Sequence, residues 1–183
     1  MTLPAMAPGG FYLYLAAYNI RIRRTPQLCS GTIQPSREKV IIHAMMVSVH
    51  AAVGAAIGAG VRRPWAAFFS GAASHLLCDL FPHKDYDIKI EAPLAAAMFA
   101  YLIARYGIAS PQVIGAFGAI APDAENAAGV IGLIPKSKTV FPTHNEDKPW
   151  FVGHGPKVSS PLPQVALAII CLALADRDRN SGA

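Results

Sequence analysis

The sequence predicts an all-α, membrane-associated bundle of about four to five apolar helices. Three observations carry that reading. Hydrophobic residues make up 53% of the chain against 15% charged, and the mean hydropathy is +0.35, above ordinary soluble composition. The apolar runs are separated by proline and glycine breaks. Much of the apolar content is alanine and glycine, which permits close helix contact but partitions weakly into lipid. With 183 residues the chain suits one domain with a real core. We divide it into an N-terminal extension (1–39), a single helical domain (40–176) and a polar tail (177–183).

Residues 1–39 differ from the rest. A short aromatic run at 11–18 precedes Arg21, Arg23 and Arg24, and a polar Pro/Ser/Gly stretch follows. A secretory signal has its positive charges before the apolar run, and here they come after it. One reading is a membrane-surface segment. The other is that the native start is Met45 or Met46, which intact-mass analysis showing residues 1–44 would exclude.

Residues 40–61 are uncharged, contain His43 and His50, and match the roughly 20 residues a bilayer span needs. Gly54 and Gly58 give this helix a small-residue face. Arg62-Arg63-Pro64 ends it, and Pro64 suits the start of a second helix over 65–81, making a helical hairpin. A third helix is expected over 93–104, with Gly107 and Pro111 marking the next break. The stretch 113–134 is interrupted by Pro122-Asp123-Ala124-Glu125-Asn126, which predicts two half-helices around a polar elbow. A loop over 135–163, long enough to form a lid or binding segment, leads to a last helix at 164–175. Lys and Arg occur in most connections, so charge sets no clean orientation.

Within this framework one segment concentrates metal-ligand side chains. His75 and Asp79, four apart, project from one helix face. Pro82 ends that helix and places His83, Asp85 and Asp87 on a turn folding back over its end. An internal His–Asp pair would satisfy His75 and Asp79, yet it leaves the additional His and two Asp downstream unexplained. Asp123 and Glu125 sit between apolar halves, where a carboxylate costs about 3 kcal/mol on insertion scales. They either serve a site or cap the second half-helix. His144 and His154 lie in the long loop, and His50 on the first helix packs toward the His75 face.

These residues suit a His-plus-carboxylate site for a divalent metal, zinc favoured over manganese or iron. The metal candidates are His50, His75, Asp79, His83, Asp123 and His144. Three or four ligands with one open position lower the pKa of bound water toward neutrality and provide a hydroxide nucleophile. Asp85, Asp87 or Glu125 would orient that water or protonate a leaving group. Lys84, Lys89, Arg62 and Arg63 would hold an anionic substrate.

Other classes fall away. Cys29, Cys78 and Cys171 have no paired short spacing, so neither a disulfide frame nor a Cys-type zinc site is expected. The net charge of +5 lacks a dense basic stripe with interleaved aromatics, so specific nucleic-acid binding is not expected and anionic lipid headgroups fit better. There is no G-x-S-x-G, Walker loop or dinucleotide fingerprint.

His50, the Ser74-His75-Leu76-Leu77-Cys78-Asp79 helix, Gly118-Ala119-Ile120-Ala121-Pro122-Asp123 and Thr143-His144 together resemble, in order, the YdjM-like inner-membrane-associated metal-dependent hydrolases. The His-x3-Asp step followed by Pro-His also resembles the ligand helix of zinc-dependent phospholipase C and the S1/P1 nucleases. The resemblance covers positions 45–155. It implies a helical, membrane-associated fold and hydrolysis of a phosphoester-type bond at the inner or plasma membrane, with His50, His75, Asp79 and Asp123 as ligands. Pro142-Thr143-His144-Asn145 echoes only part of the Arg-Gly-x-Thr-His-Ser element of the membrane group, and one or two metals are expected instead of three. Two rival readings remain: a non-enzymatic multi-pass membrane protein with a structural or ion-passing role, and a peripheral helical interaction module.

Overall fold

The computed structural model describes residues 46–180. The expectations placed on residues 1–39, on a start at Met45 and on His43 lie outside the described residues.

Five α-helices and one 3₁₀ turn are present among the described residues, and no strand. The helices are α1 (Val47–Val61), α2 (Pro64–Asp79), α3 (Ile88–Tyr106), α4 (Pro111–Val130) and α5 (Leu162–Asn180), with the 3₁₀ turn at Lys136–Lys138. The all-α expectation therefore holds. Among the described residues no helix is long and apolar enough to cross a membrane. The described helix in the expected span over 40–61 has 15 residues, short of the roughly 20 that a crossing needs.

Local chemistry explains the helix limits. Pro64 opens α2, where its missing N–H costs nothing. The Asp87 carboxylate accepts the Lys89 N–H at 2.9 Å and caps α3, which is why this helix starts five residues before the expected 93 and carries Pro93 in its second turn. Ser110 caps α4 by accepting the Val113 N–H at 3.2 Å. Gly107, at φ +84° and ψ 146°, takes an extended positive-φ conformation open to glycine, and α3 stops there.

Two expectations are corrected. The stretch around Pro122 is not an elbow between half-helices: α4 runs continuously through it. A proline removes one intrahelical donor, and here the flanking turns hold because α4 is packed along both α1 and α2. The last helix is also longer than the expected 164–175, running over Leu162–Asn180. Its Asp176 carboxylate ties it to α3, accepting from Arg105 Nε at 3.0 Å and from the Tyr106 hydroxyl at 2.9 Å.

α1 is the central element and touches all four other helices. Its apolar core is built from small side chains, Ala51, Ala55 and Ala59, against Leu102, Val113, Ala116 and Ala175. Glycine makes that closeness possible. A Cβ at Gly54 would run into the Gly115 carbonyl of α4, and one at Gly118 would run into the Phe68 carbonyl of α2. α4 thus lies nearly backbone-to-backbone on both partners, which brings His50, His75 and Asp123 from three helices to one point.

The long loop is pinned across the end of α2. Gly155 N donates to Asp79 O at 2.8 Å, His83 N to Pro156 O at 3.2 Å and Val158 N to His83 O at 2.9 Å, with a parallel bridge between His83 and Lys157. The buried Gln164 side chain of α5 clasps the Lys84 backbone from both sides, accepting its N–H at 2.9 Å and donating to its carbonyl at 3.3 Å.

Candidate metal centre

His75 and Asp79 occupy the inward face of α2 and are fully buried, as is His50 on α1. Asp79 is the hub. Its Oδ1 lies 3.4 Å from His50 Nε2, and its Oδ2 lies 3.3 Å from His75 Nε2, 3.6 Å from His144 Nε2 and 3.8 Å from His154 Nε2. Asp123 Oδ1 of α4 is 3.7 Å from both His75 Nε2 and His144 Nε2. Three overlapping groups result, His50/His75/Asp79, His75/Asp123/His144 and Asp79/His144/His154, each with its ligand atoms within 4.8 Å of one another. A buried His50/His75/Asp79 group able to hold a metal ion is therefore present.

The backbone dictates which nitrogen faces inward. His75 Nδ1 lies 2.6 Å from Ala119 O and His144 Nδ1 lies 3.2 Å from Pro122 O. A carbonyl only accepts, so Nδ1 carries a proton, and in the neutral ring Nε2 then presents a lone pair, as in metal-ligating histidines. Lone pairs facing carboxylate oxygens repel unless something positive lies between them. The separations of 3.3–3.8 Å also exceed ordinary hydrogen bonds. They match the ~3.4 Å edge of a tetrahedron whose corners are ~2.1 Å from a zinc ion. His50, His75, His144 and His154 each leave Nε2 buried without a hydrogen-bond partner, as do Asp79 Oδ1 and both Asp123 oxygens. The Thr143 hydroxyl donates to Asp79 Oδ2 at 2.5 Å and orients the hub.

The electrostatics follow from burial and crowding. Burial, reinforced by His75 and His144, lowers the His50 pKa to about 4, and burial with His75 and His154 does the same for His144. Both are neutral at pH 7, the ligating form. For His75, burial pulls down but Asp79 and Asp123 outweigh it, and the pKa is raised. Burial would lift Asp79, yet His50 and His75 hold it below the usual carboxylate range. Burial, with Asp79 nearby, raises Asp123 to about 7.

Of the expected ligands, His50, His75, Asp79, Asp123 and His144 converge here. His83 is buried just beyond them, its Nε2 3.4 Å from Asp85 Oδ1, while Asp85 Oδ2 holds Lys157 Nζ at 2.5 Å. Two expected catalytic carboxylates serve the scaffold. Asp87 is the exposed cap of α3. Glu125 accepts the Val140 and Phe141 N–H groups at 3.0 and 3.1 Å and so holds the loop before Thr143.

The expected substrate cations are dispersed. Lys89 is exposed, and Lys84 lies over the Tyr86 ring at 5.3 Å. Arg62 and Arg63 end α1 some ~18 Å along the helix from His50. Arg62 adopts φ +63° there and lines a separate cavity of about 450 Å³ with Arg105 and Gln112, away from any ligand cluster. The cavity that does open on the centre measures about 310 Å³ and is lined by His83, Asn126, Thr143, His144, His154 and Lys157.

One candidate ligand and one neighbouring buried carboxyl escaped the sequence-based set. His154 reads alone as a solvated loop histidine, and the backbone bonds that pin its loop, Gly155 N to Asp79 O first among them, carry it to the hub. Glu91 reads as an ordinary acid in the first turn of α3, yet it is 4% exposed, and burial, then Asp123 and Asp85, push its pKa to about 8. Neither protein-family models, curated proteins nor solved structures match this chain, so the site alone carries the functional reading.

Proposed function

We propose that the protein is a metal-dependent hydrolase that acts at a lipid surface on a phosphoester-type bond. The observation that carries this reading is the ring of inward-facing, unpartnered His Nε2 atoms around the Asp79 and Asp123 carboxylates at the floor of an open cavity. The residues fit a divalent ion, zinc favoured: His75, Asp79, Asp123 and His144 would hold it, with His50 behind Asp79. A cation there supplies Lewis acidity and lowers the pKa of water from about 15.7 toward about 7. Thr143 fixes Asp79, and the Ala119 and Pro122 carbonyls fix two imidazoles, so the ligands are preorganised. Lys157 at the cavity supplies positive charge for a phosphoryl oxygen, and Asp85 holds its ammonium in place.

The lipid surface is supported by the polarity of α2, which is inside out. Its buried face carries Ser74, His75 and Asp79, while Trp65, Phe69 and Leu77 stand on the opposite face, each about two-thirds exposed or more. Apolar exposure on this scale marks an interaction surface.

Elemental analysis of the purified chain beside His75→Ala/Asp79→Ala tests the metal. We expect at least one zinc or manganese per wild-type chain and none in the variant. Hydrolysis of p-nitrophenyl phosphate and its bis-ester, lost in the variant, tests the reaction. Folded wild-type protein without metal would leave an internal His–Asp network as the explanation. Metal without phosphoester hydrolysis would reduce the site to binding.

A further inference from the structure

The ammonium at the cavity is held from outside the cavity. Lys157 is 57% exposed on a flexible stem, and Asp85 Oδ2 takes its Nζ at 2.5 Å. Asp85 stands at the end of a non-helical segment with His83 and Lys84. Where Lys157 points therefore depends on what fixes residues 83–85.

One edge of that segment is paired to the long loop as a parallel bridge. His83 N donates to Pro156 O at 3.2 Å and Val158 N donates to His83 O at 2.9 Å, on either side of Lys157. In such a pairing the next residue turns its N–H and C=O the other way. Lys84 does so, and both groups meet the Gln164 side chain of α5, which accepts at 2.9 Å and donates at 3.3 Å. A primary amide carries the donor and the acceptor of a peptide group, so Gln164 stands in for a third chain. It is fully buried in the first turn of α5, while Leu162, Val165 and Ile169 of the same helix are exposed. Burying an amide is unfavourable unless both its groups are matched, and here they are matched by one backbone residue.

We propose that Gln164 is a positioning residue for anion binding. By closing the second edge of residues 83–85 it sets the Asp85 carboxylate, and through it the Lys157 ammonium, at the cavity where a phosphoryl oxygen is bound. The proposal rests on the hydrolase reading above, in which Lys157 meets the phosphoryl group. Gln164 acts through Lys157, and His75, Asp79, Asp123 and His144 lie outside the segment that it holds.

The test uses the full chain with zinc added and inorganic phosphate as the probe. Phosphate affinity is measured by calorimetry, and KM and kcat with p-nitrophenyl phosphate, for wild type, Gln164→Met, Lys157→Met and the double variant. Methionine conserves the volume of glutamine and removes both hydrogen bonds. Gln164→Met should weaken phosphate binding at least ~10-fold, the effect of losing one hydrogen bond to a charged group. It should raise KM by a larger factor than it lowers kcat, and zinc content should match wild type. The double variant should bind phosphate no more weakly than Lys157→Met, because both substitutions remove one interaction. Gln164→Leu reads the same position if Gln164→Met loses its helical circular dichroism. Unchanged phosphate affinity in a folded Gln164 variant, or losses that multiply in the double variant, overturns the proposal. The expected binding pattern without hydrolysis supports the positioning role and overturns the hydrolase reading. Folded wild-type protein that binds no phosphate overturns both.

Discussion

Glu91 shows what burial does to a single residue. Its folded pKa of about 8 lies above the ordinary value of 4.5, because burial first and then Asp123 and Asp85 disfavour the anion. A raised carboxyl pKa means that the folded chain binds this proton more tightly than the unfolded chain. Its stabilising contribution is complete below about pH 4.5 and is lost as pH rises through about 8. Asp123, raised from 3.8 to about 7, adds to the same trend, whereas Asp79, held low, stabilises above its unfolded pKa and is lost only in strong acid. In metal-free protein, Glu91→Gln should therefore gain stability over wild type between about pH 5 and about pH 9, by ~2 kcal/mol in urea unfolding. The same difference at both pH values would refute it. His75 and Asp79 were legible in sequence because helical spacing alone puts them on one face. Glu91 and His154 were not, since nothing in their local spacing says that α3 and the loop turn them inward.

At the scale of the element, the glycines of α1 make a sharp contrast. Gly54 faces the α4 backbone, while Gly60 has no heavy atom near the position of an added Cβ. The same substitution should act with opposite sign at the two sites. Gly54→Ala forces α1 and α4 apart and should destabilise by ~2–3 kcal/mol. Gly60→Ala should stabilise by ~0.5–1 kcal/mol through lower unfolded-state entropy. Chemical denaturation of both variants checks this, and equal signs would show that the close helix contact is not needed. Gly54→Ala should also weaken metal retention at the proposed centre, because that contact sets α1, which carries His50, against α4, which carries Asp123. The small-residue face was readable from spacing, but its partner was not. The proline at 122 misled for a related reason: taken locally it breaks a helix, and packing on two sides keeps α4 whole.

At the scale of the whole molecule, two of the described helices turn polar side chains inward and large apolar ones outward: α2, and again α5, where Ile169 and Ile170 are exposed while Gln164 is buried. The lipid surface of the proposed function would cover those apolar side chains. The chain should co-sediment with vesicles of phosphatidylcholine containing anionic lipid, and replacing Trp65, Phe69 and Leu77 together by Ser should weaken binding at least ~10-fold. Each buried apolar side chain contributes ~1.5 kcal/mol or more. Unchanged sedimentation of the triple variant would assign the apolar face to another partner.

Sequence by itself determined the all-helical class, the positions of most breaks and the His-x3-Asp step, because these follow from composition, proline and glycine chemistry and the 3.6-residue period. Only the tertiary structure decided which carboxylates belong to the site. Asp123 enters it while Glu125 and Asp87 hold backbone, His154 joins from a loop with no local signal, and Glu91 is buried where its spacing gives no sign of it. Those assignments depend on where α4, α3 and the long loop are pinned against α2, and long-range packing leaves no trace in local spacing.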